Sequence, residues 1–418
     1  MTTADALSLA PSAGAVQFLG SERAYWRLRI KGAALLLLTL GLYRFWFATD
    51  VRRFLWSNTE IGGETLEYTG LATELLGGFL LAIAILVPLY TVLAGTALAL
   101  DTAQQATAVV SFVLLVLLGQ FALYRARRYR LTRTVFRGVR FDQHGPAWRY
   151  ALYALLWWTI VIATLGLAFP WAQASLQRFK MRHTSYGDLS GSFAGSGSAL
   201  FLRGLPIWLL VVGPIVCAFF ALGAVVDWNA LNGMMADGES NPLALLVGSA
   251  GVRVFIIAAA ALSTSIASAL LLYPLFQAMM MRWWISGLRF GAVGVTSRLR
   301  TSQVYRIYLR FILLMSLFLL LTFVLVAVCL FVVNRFGPDH GSALAEPLTS
   351  AIVLGLYVFT ALGASTIYQV AVTLAMWRLG AQSAELSGAA ALDAVRATGA
   401  ASSALGEGLA DALGVGGI

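Results

Sequence analysis

Long apolar runs alternate with short polar connections along this chain. Seven or eight stretches are apolar over lengths that suit a bilayer, at about 30–48, 75–100, 107–124, 150–174, 205–228, 252–281, 308–333 and 348–376; a spanning helix needs about 20 such residues. The charges between the runs set the expected orientation. Residues 101–106 and 229–242 hold no Arg or Lys, and 334–347 hold only Arg335. These three connections are expected outside the cell. Residues 125–149 carry eight arginines against Asp142, and residues 282–310 carry six arginines and no acid. Both are expected in the cytoplasm, which makes 75–124, 205–281 and 308–376 three helical hairpins with external tips.

The first and fourth runs break this alternation. Each has basic residues on both flanks, Arg23 to Lys31 before and Arg44 to Arg53 after the first, and each precedes a hairpin that must start inside. The same two runs belong to an internal repeat. Residues 39–70 and 164–195 align without gaps and share ten identities in 32 positions. Thr39, Gly41, Trp46, Arg53, Phe54, Thr59, Gly62 and Gly70 recur as Thr164, Gly166, Trp171, Arg178, Phe179, Thr184, Gly187 and Gly195. A repeat is settled before a fold is assigned. Each copy is expected to be a broken, re-entrant element, with helices at about 24–38 and 43–57, and at 148–163 and 168–182. Gly41 and Gly166 permit the turn at Thr-Leu-Gly-Leu, and Pro170 suits the first turn of the returning helix. Trp46 and Trp171 are expected at headgroup depth. The alternative is that both copies cross, giving eight spans.

After each broken helix comes a hairpin pattern, Asn58-Thr59 to Tyr68 and His183-Thr184 to Phe193, with Gly62-Gly63 and Gly187-Asp188 at the turns. Residues 16–20 and 134–139 read as further strands of a small cytoplasmic sheet, and 289–295 as a degraded third copy. The expected fold is therefore an all-α polytopic membrane protein, with about six spans in three hairpins, two re-entrant segments and small cytoplasmic β-hairpins. Its units are 1–124, 125–281 and 282–377, followed by a flexible cytoplasmic tail, 378–418.

Composition agrees: 59% of the residues are hydrophobic and 11% charged, where a soluble domain carries about 25% charged. The first twenty residues lack the basic-then-apolar order of a signal peptide. The net charge of +10 is carried by arginine, since the only lysines are Lys31 and Lys180. It points to orientation and lipid headgroups, not nucleic acid. Arg125, Arg127, Arg128, Arg130 and Arg133 are the expected contacts for anionic lipid. Cys217 and Cys329 lie in apolar helices, and His144, His183 and His340 are scattered, so no metal, cofactor or catalytic site is expected. His183 and Asp188 suggest a dyad on paper, with no nucleophile or oxyanion hole beside it. The helix centres are almost free of ionisable groups, against a proton-coupled pump.

Phe18-x-Gly20, Thr39-Leu40-Gly41-Leu42-Tyr43-x-x-Trp46, Arg52-Arg53-Phe54, Asn58-Thr59 and Gly62-Gly63 through Tyr68 resemble the YjgN-like inner membrane proteins, as do Thr164 to Ala172 and Gly406-Glu407-Gly408-Leu409-Ala410-Asp411. The resemblance covers nearly the whole chain. It implies a multi-pass protein of the bacterial inner membrane with cytoplasmic termini, a family of unknown function, and a zinc metallopeptidase as a partner. It brings no catalytic residues, and the Asn58/His183 difference argues against chemistry at that position. The expected role is non-enzymatic: a pore or translocation pathway, as a homo-oligomer, built around Thr39, Gly41, Trp46, Arg53, Asn58, Thr59, Gly62 and Tyr68 and Thr164, Gly166, Trp171, Arg178, His183, Thr184 and Gly187. The alternative is a lipid-binding scaffold or adaptor for another membrane protein.

Overall fold

The computed structural model describes residues 15–99, 104–225, 249–336, 345–398 and 405–413. A short strand, β1 (Val16–Phe18), leads into α1 (Glu22–Leu38) and α2 (Arg44–Ser57). Next come β2 (Thr59–Ile61), β3 (Glu64–Thr65), β4 (Glu67–Tyr68), α3 (Ala72–Ala99) and α4 (Gln104–Thr132). The second round is β5 (Thr134–Phe136), β6 (Val139–Gln143), α5 (Ala147–Ala163), α6 (Phe169–Arg182), β7 (Thr184–Tyr186), β8 (Leu189–Phe193), α7 (Gly197–Val225) and α8 (Ser249–Gly287). The last is β9 (Leu288–Phe290), β10 (Val293–Ser297), α9 (Thr301–Phe336) and α10 (Ala345–Tyr368), then a π-helical turn (Gln369–Leu374), α11 (Ala375–Ser383), β11 (Ala384–Ser387), a 3-10 turn (Ala389–Ala394) and α12 (Leu405–Ala412). Six helical stretches, starting in α3, α4, α7, α8, α9 and α10, are long and apolar enough to cross a membrane. The expected external connection 229–242 lies outside the described residues, as do 101–103 and 337–344 of the other two.

Contacts divide the chain into two units, Met1–Leu156 with Leu176–Gly195 and Met281–Ile418, and Trp157–Ser175 with Ser196–Met280. These units are discontinuous in sequence.

All the strands belong to the first unit. The turns at Gly62, Arg137–Gly138, Gly187 and Gly291 have positive φ and close four antiparallel hairpins. The hairpins join into larger sheets. Their edges pair, β4 with β5, β6 with β7, β8 with β9, and β10 with β11. β1 pairs with β2, and Ala15 bridges to Glu385 of β11. Only Leu66 separates β3 from β4, and its N–H donates to Thr59 O at 3.0 Å. The ladder therefore curls into a ring of two sheets, β1-β2-β3 and an eight-stranded one from β11 to β4, which meet at Leu66 and at the single Ala15–Glu385 bridge. That bridge joins opposite ends of the chain. One apolar cluster around Phe136, Val139 and Tyr186 also takes in Ile61, Phe141 and Phe290, and so draws on β2, β5, β6, β7 and β9.

A second regularity ties helices to the ring. Arg53, Arg128, Arg178, Arg282 and Arg378 each stand six positions before the first residue of the following strand, Thr59, Thr134, Thr184, Leu288 and Ala384. Arg53, Arg178 and Arg378 donate from Nη2 to the carbonyls of Gly70, Gly195 and Gly20, at 3.1, 3.0 and 2.8 Å. Arg282 reaches Thr301 Oγ1 at 3.2 Å. Each bond pins the helix that enters the ring to the connection that leaves it. The glycines cannot change: a Cβ at Gly20, Gly70 or Gly195 would lie 2.4–2.6 Å from the ring of Phe18, Tyr68 or Phe193, two residues earlier.

Within the tail, residues 405–412 are helical. α12 packs against both α3 and α4, with Leu409 and Ala410 buried beside Ala82, Leu86, Ala122 and Ala126. A Cβ at Gly408 would sit 1.9 Å from the carbonyl carbon of Gly78. Small residues on both sides let the backbones meet, which composition alone reads as looseness.

In the second unit, Val161, Ala168 and Ala172 form a small core with Trp157, Trp158 and Phe169.

Candidate functional site

The two copies of the repeat build the same hinge. Thr39 Oγ1 donates to Leu35 O at 2.7 Å and accepts from Tyr43 N at 3.0 Å. Thr164 Oγ1 donates to Ile160 O at 2.8 Å and accepts from Ala168 N at 3.1 Å. One hydroxyl thus closes the first helix and opens the second. Gly41 N donates to Leu36 O at 2.8 Å, and Gly166 N to Val161 O at 2.7 Å. The intervening residues turn through the left-handed region, Leu40 at φ 50° and Gly41 at 93°, Leu165 at 49° and Gly166 at 90°. A φ near 90° suits glycine alone, and an L-leucine in the left-handed region costs about 1–2 kcal/mol. Leu40 is 95% exposed, so an apolar side chain is held out at the tip of the hinge.

Trp46 and Trp171 follow the hinges and are both half-exposed. Trp46 stacks on Tyr43; Trp171 packs on Phe201, and its Nε1 donates to Ser198 Oγ at 3.4 Å.

At the ring end the copies match again. Asn58 Nδ2 donates to Phe54 O at 2.7 Å, and His183 Nδ1 lies 2.8 Å from Phe179 O. The differing residues thus do the same work, closing the last helical turn. Thr59 and Thr184 donate to Leu55 O and Lys180 O, at 2.7 and 2.8 Å. Trp377 Nε1 donates to Thr59 Oγ1, and Arg127 Nη1 to Thr184 Oγ1, both at 3.0 Å. Tyr68 is buried and accepts from Arg52 Nη1 at 3.1 Å. Gly62 and Gly187 are the positive-φ turn residues of their hairpins. The candidate residues therefore gather as two hinges and two ring junctions, not as one pocket.

The arginines expected to meet lipid are partly committed elsewhere. Arg127 also donates to Gln143 Oε1 at 2.8 Å, and Arg133 pairs with Glu74 at 2.5 Å. The side-chain Nε atoms of Arg128 and Arg133 are buried. Near Arg127, burial first and its positive charge second hold the Lys180 amine at about 7, below its ordinary 10.5. His183 and Asp188 form no dyad: Asp188 instead accepts the backbone N–H of Arg396 at 3.1 Å. Among the described residues, no three His, Cys, Asp or Glu gather as metal ligands.

Each hinged pair borders an apolar cavity. Beside α1, a cavity of about 850 Å³ is lined by Trp26, Ala33, Leu37, Leu354, Gly355 and Val358 among others. In the second unit, one of about 300 Å³ lies against Leu165, Gly166, Phe169, Phe201, Trp208 and Met279. No pattern search would find these, because residues over 300 positions apart share the first wall.

A family model described as a bacterial protein of unknown function (DUF898) matches residues 13–412. No curated protein and no solved structure matches the chain.

Proposed function

The chain belongs to this bacterial family of unknown function, and we propose that it is a non-enzymatic, lipid-binding protein of the inner membrane whose two hinged helix pairs dip into one leaflet and hold acyl chains beside them. Two arguments support re-entry. Ring closure keeps all the strands together, so the chain between consecutive strand pairs must return to the side it left. The helices are also short: α1 and α5 have 17 residues each, α2 and α6 have 14. At 1.5 Å per residue these span about 25 and 21 Å, less than the roughly 30 Å hydrocarbon core.

The observation that carries the lipid reading is the pair of apolar cavities, one beside each hinged pair. A cavity at membrane depth with almost no polar lining matches an acyl chain. The pore reading has less support, because no continuous polar path lines the described helices. The exposed apolar length of the spans also leaves room for a second copy or a membrane metallopeptidase partner.

Native mass spectrometry of the protein in mild detergent tests the reading. Phospholipid should remain bound. Gly355 lines the larger cavity, and a Cβ there meets nothing within 4 Å. Gly355→Phe should therefore project a ring into the cavity and cut retained lipid several-fold. A wild type that releases all its lipid, or a variant that retains as much, would contradict the proposal. The same spectrum reads oligomer size and any partner.

A further inference from the structure

The hairpin turns lie on the rim of the ring opposite its helices, and a stretch of the C-terminal tail crosses them. Asp393 pairs with Arg137 at the β5–β6 turn, and Arg137 Nε is held by Glu64 at 3.2 Å. The Arg396 N–H donates to Asp188 at the β7–β8 turn. The crossing is close: a Cβ at Gly187 would lie 2.3 Å from Arg396 O, and one at Gly388 would lie 2.7 Å from Ala292 O. Leu392 and Val395 drop onto the cluster of Phe136, Val139 and Tyr186.

The seat is built and the occupant is loose. Phe136, Val139 and Tyr186 are buried, whereas the 3-10 turn that covers them has no buried residue. The Asp393 side chain is 69% exposed against 27% for Arg137; an exposed ion pair of this kind contributes little to holding a segment in place. Beneath the segment a cavity of about 460 Å³ stays open, lined by Glu64, Arg137, Tyr186, Leu392, Asp393 and Val395 among others. A well-fitted structural plug would fill it.

We propose that the rim is a peptide-binding site, occupied in cis by Leu392-Asp393-Ala394-Val395, and that its ligand is a segment of a partner protein with the same aliphatic–acid–small–aliphatic order. Each feature of the seat reads one feature of a peptide: Arg137 an acidic side chain, the Phe136/Tyr186 floor two aliphatic ones, and the Asp188 carboxylate a backbone N–H. A tethered occupant competes at a high effective concentration and lowers the apparent affinity of the rim for anything in trans. The tail is thereby an autoinhibitory strap, and α12, seated between α3 and α4, anchors its far end. This inference does not depend on lipid binding.

The test uses full-length protein and a fluorescent peptide of residues 388–397. Asp393→Arg in the protein turns the strap's attraction to Arg137 into repulsion and leaves the rim intact. Trypsin cleavage after Arg396 should then quicken, and peptide affinity by fluorescence anisotropy should rise at least tenfold over wild type. Peptides carrying Asp393→Arg or Leu392→Ala should bind D393R protein at least tenfold more weakly than the native peptide; these changes cannot disturb the protein's folding. The proposal is overturned if D393R is cut no faster, if it is cut faster but gains no affinity, or if all three peptides bind alike.

Discussion

Lys180 is a basic side chain whose surroundings bring its protonation near neutral pH. Its folded value of about 7 lies below the ordinary 10.5 because burial, aided by Arg127, disfavours the ammonium. Between these values the unfolded chain carries the proton and the folded chain does not, so stability rises as pH increases through this window. Below about 7 both states are protonated and the cost of the buried charge is felt in full. Lys180→Met should therefore be more stable than wild type at pH 6.5, with the gap narrowing steadily towards pH 10 in thermal denaturation. A gap independent of pH would show that Lys180 does not titrate between those values. At this scale the sequence is informative about the hinges and misleading about roles. Thr39, Gly41, Thr164 and Gly166 stand out as identities and are the turn itself. Arg53 and Arg178 stand out too, but their partners are glycine carbonyls 17 residues on, a contact that no residue type announces.

Among the elements, the helices are the legible part. Apolar length locates the six candidate spans, and the two hinged pairs fall within two residues of their expected limits. The strands are legible only one hairpin at a time. Gly-Gly and Gly-Asp mark turns, but edges of three to five residues carry no sign of which neighbour they join. In the tail, Ala and Gly, which signal flexibility in isolation, are what allow α12 to press against Gly78. Gly408→Leu should expel α12, because the new side chain would occupy the space of the α3 backbone. Hydrogen–deuterium exchange should find residues 405–412 protected in the wild type and at least tenfold faster in the variant. Unchanged protection would contradict the packing.

For the whole molecule the ring is the organising feature. Four local hairpins are joined edge to edge, and a single bridge from Ala15, just before β1, to Glu385 of β11 links ends more than 360 residues apart. The proposed re-entry accounts for the charge conflict around the first and fourth apolar runs: both basic flanks would then lie on the side of the strands. The most direct test of this account is labelling of single cysteines by a membrane-impermeant maleimide, in a chain with Cys217 and Cys329 replaced by Ala. Cysteines placed at Gly63, Asp188 and Ala292, all exposed or at exposed turns, should react from one and the same side of the membrane, and cysteines at Leu40 and Leu165 should stay unreactive from the other side. Turn positions labelled from opposite sides, or either hinge labelled from the far side, would show that the hinged pairs cross the membrane and that the ring does not close.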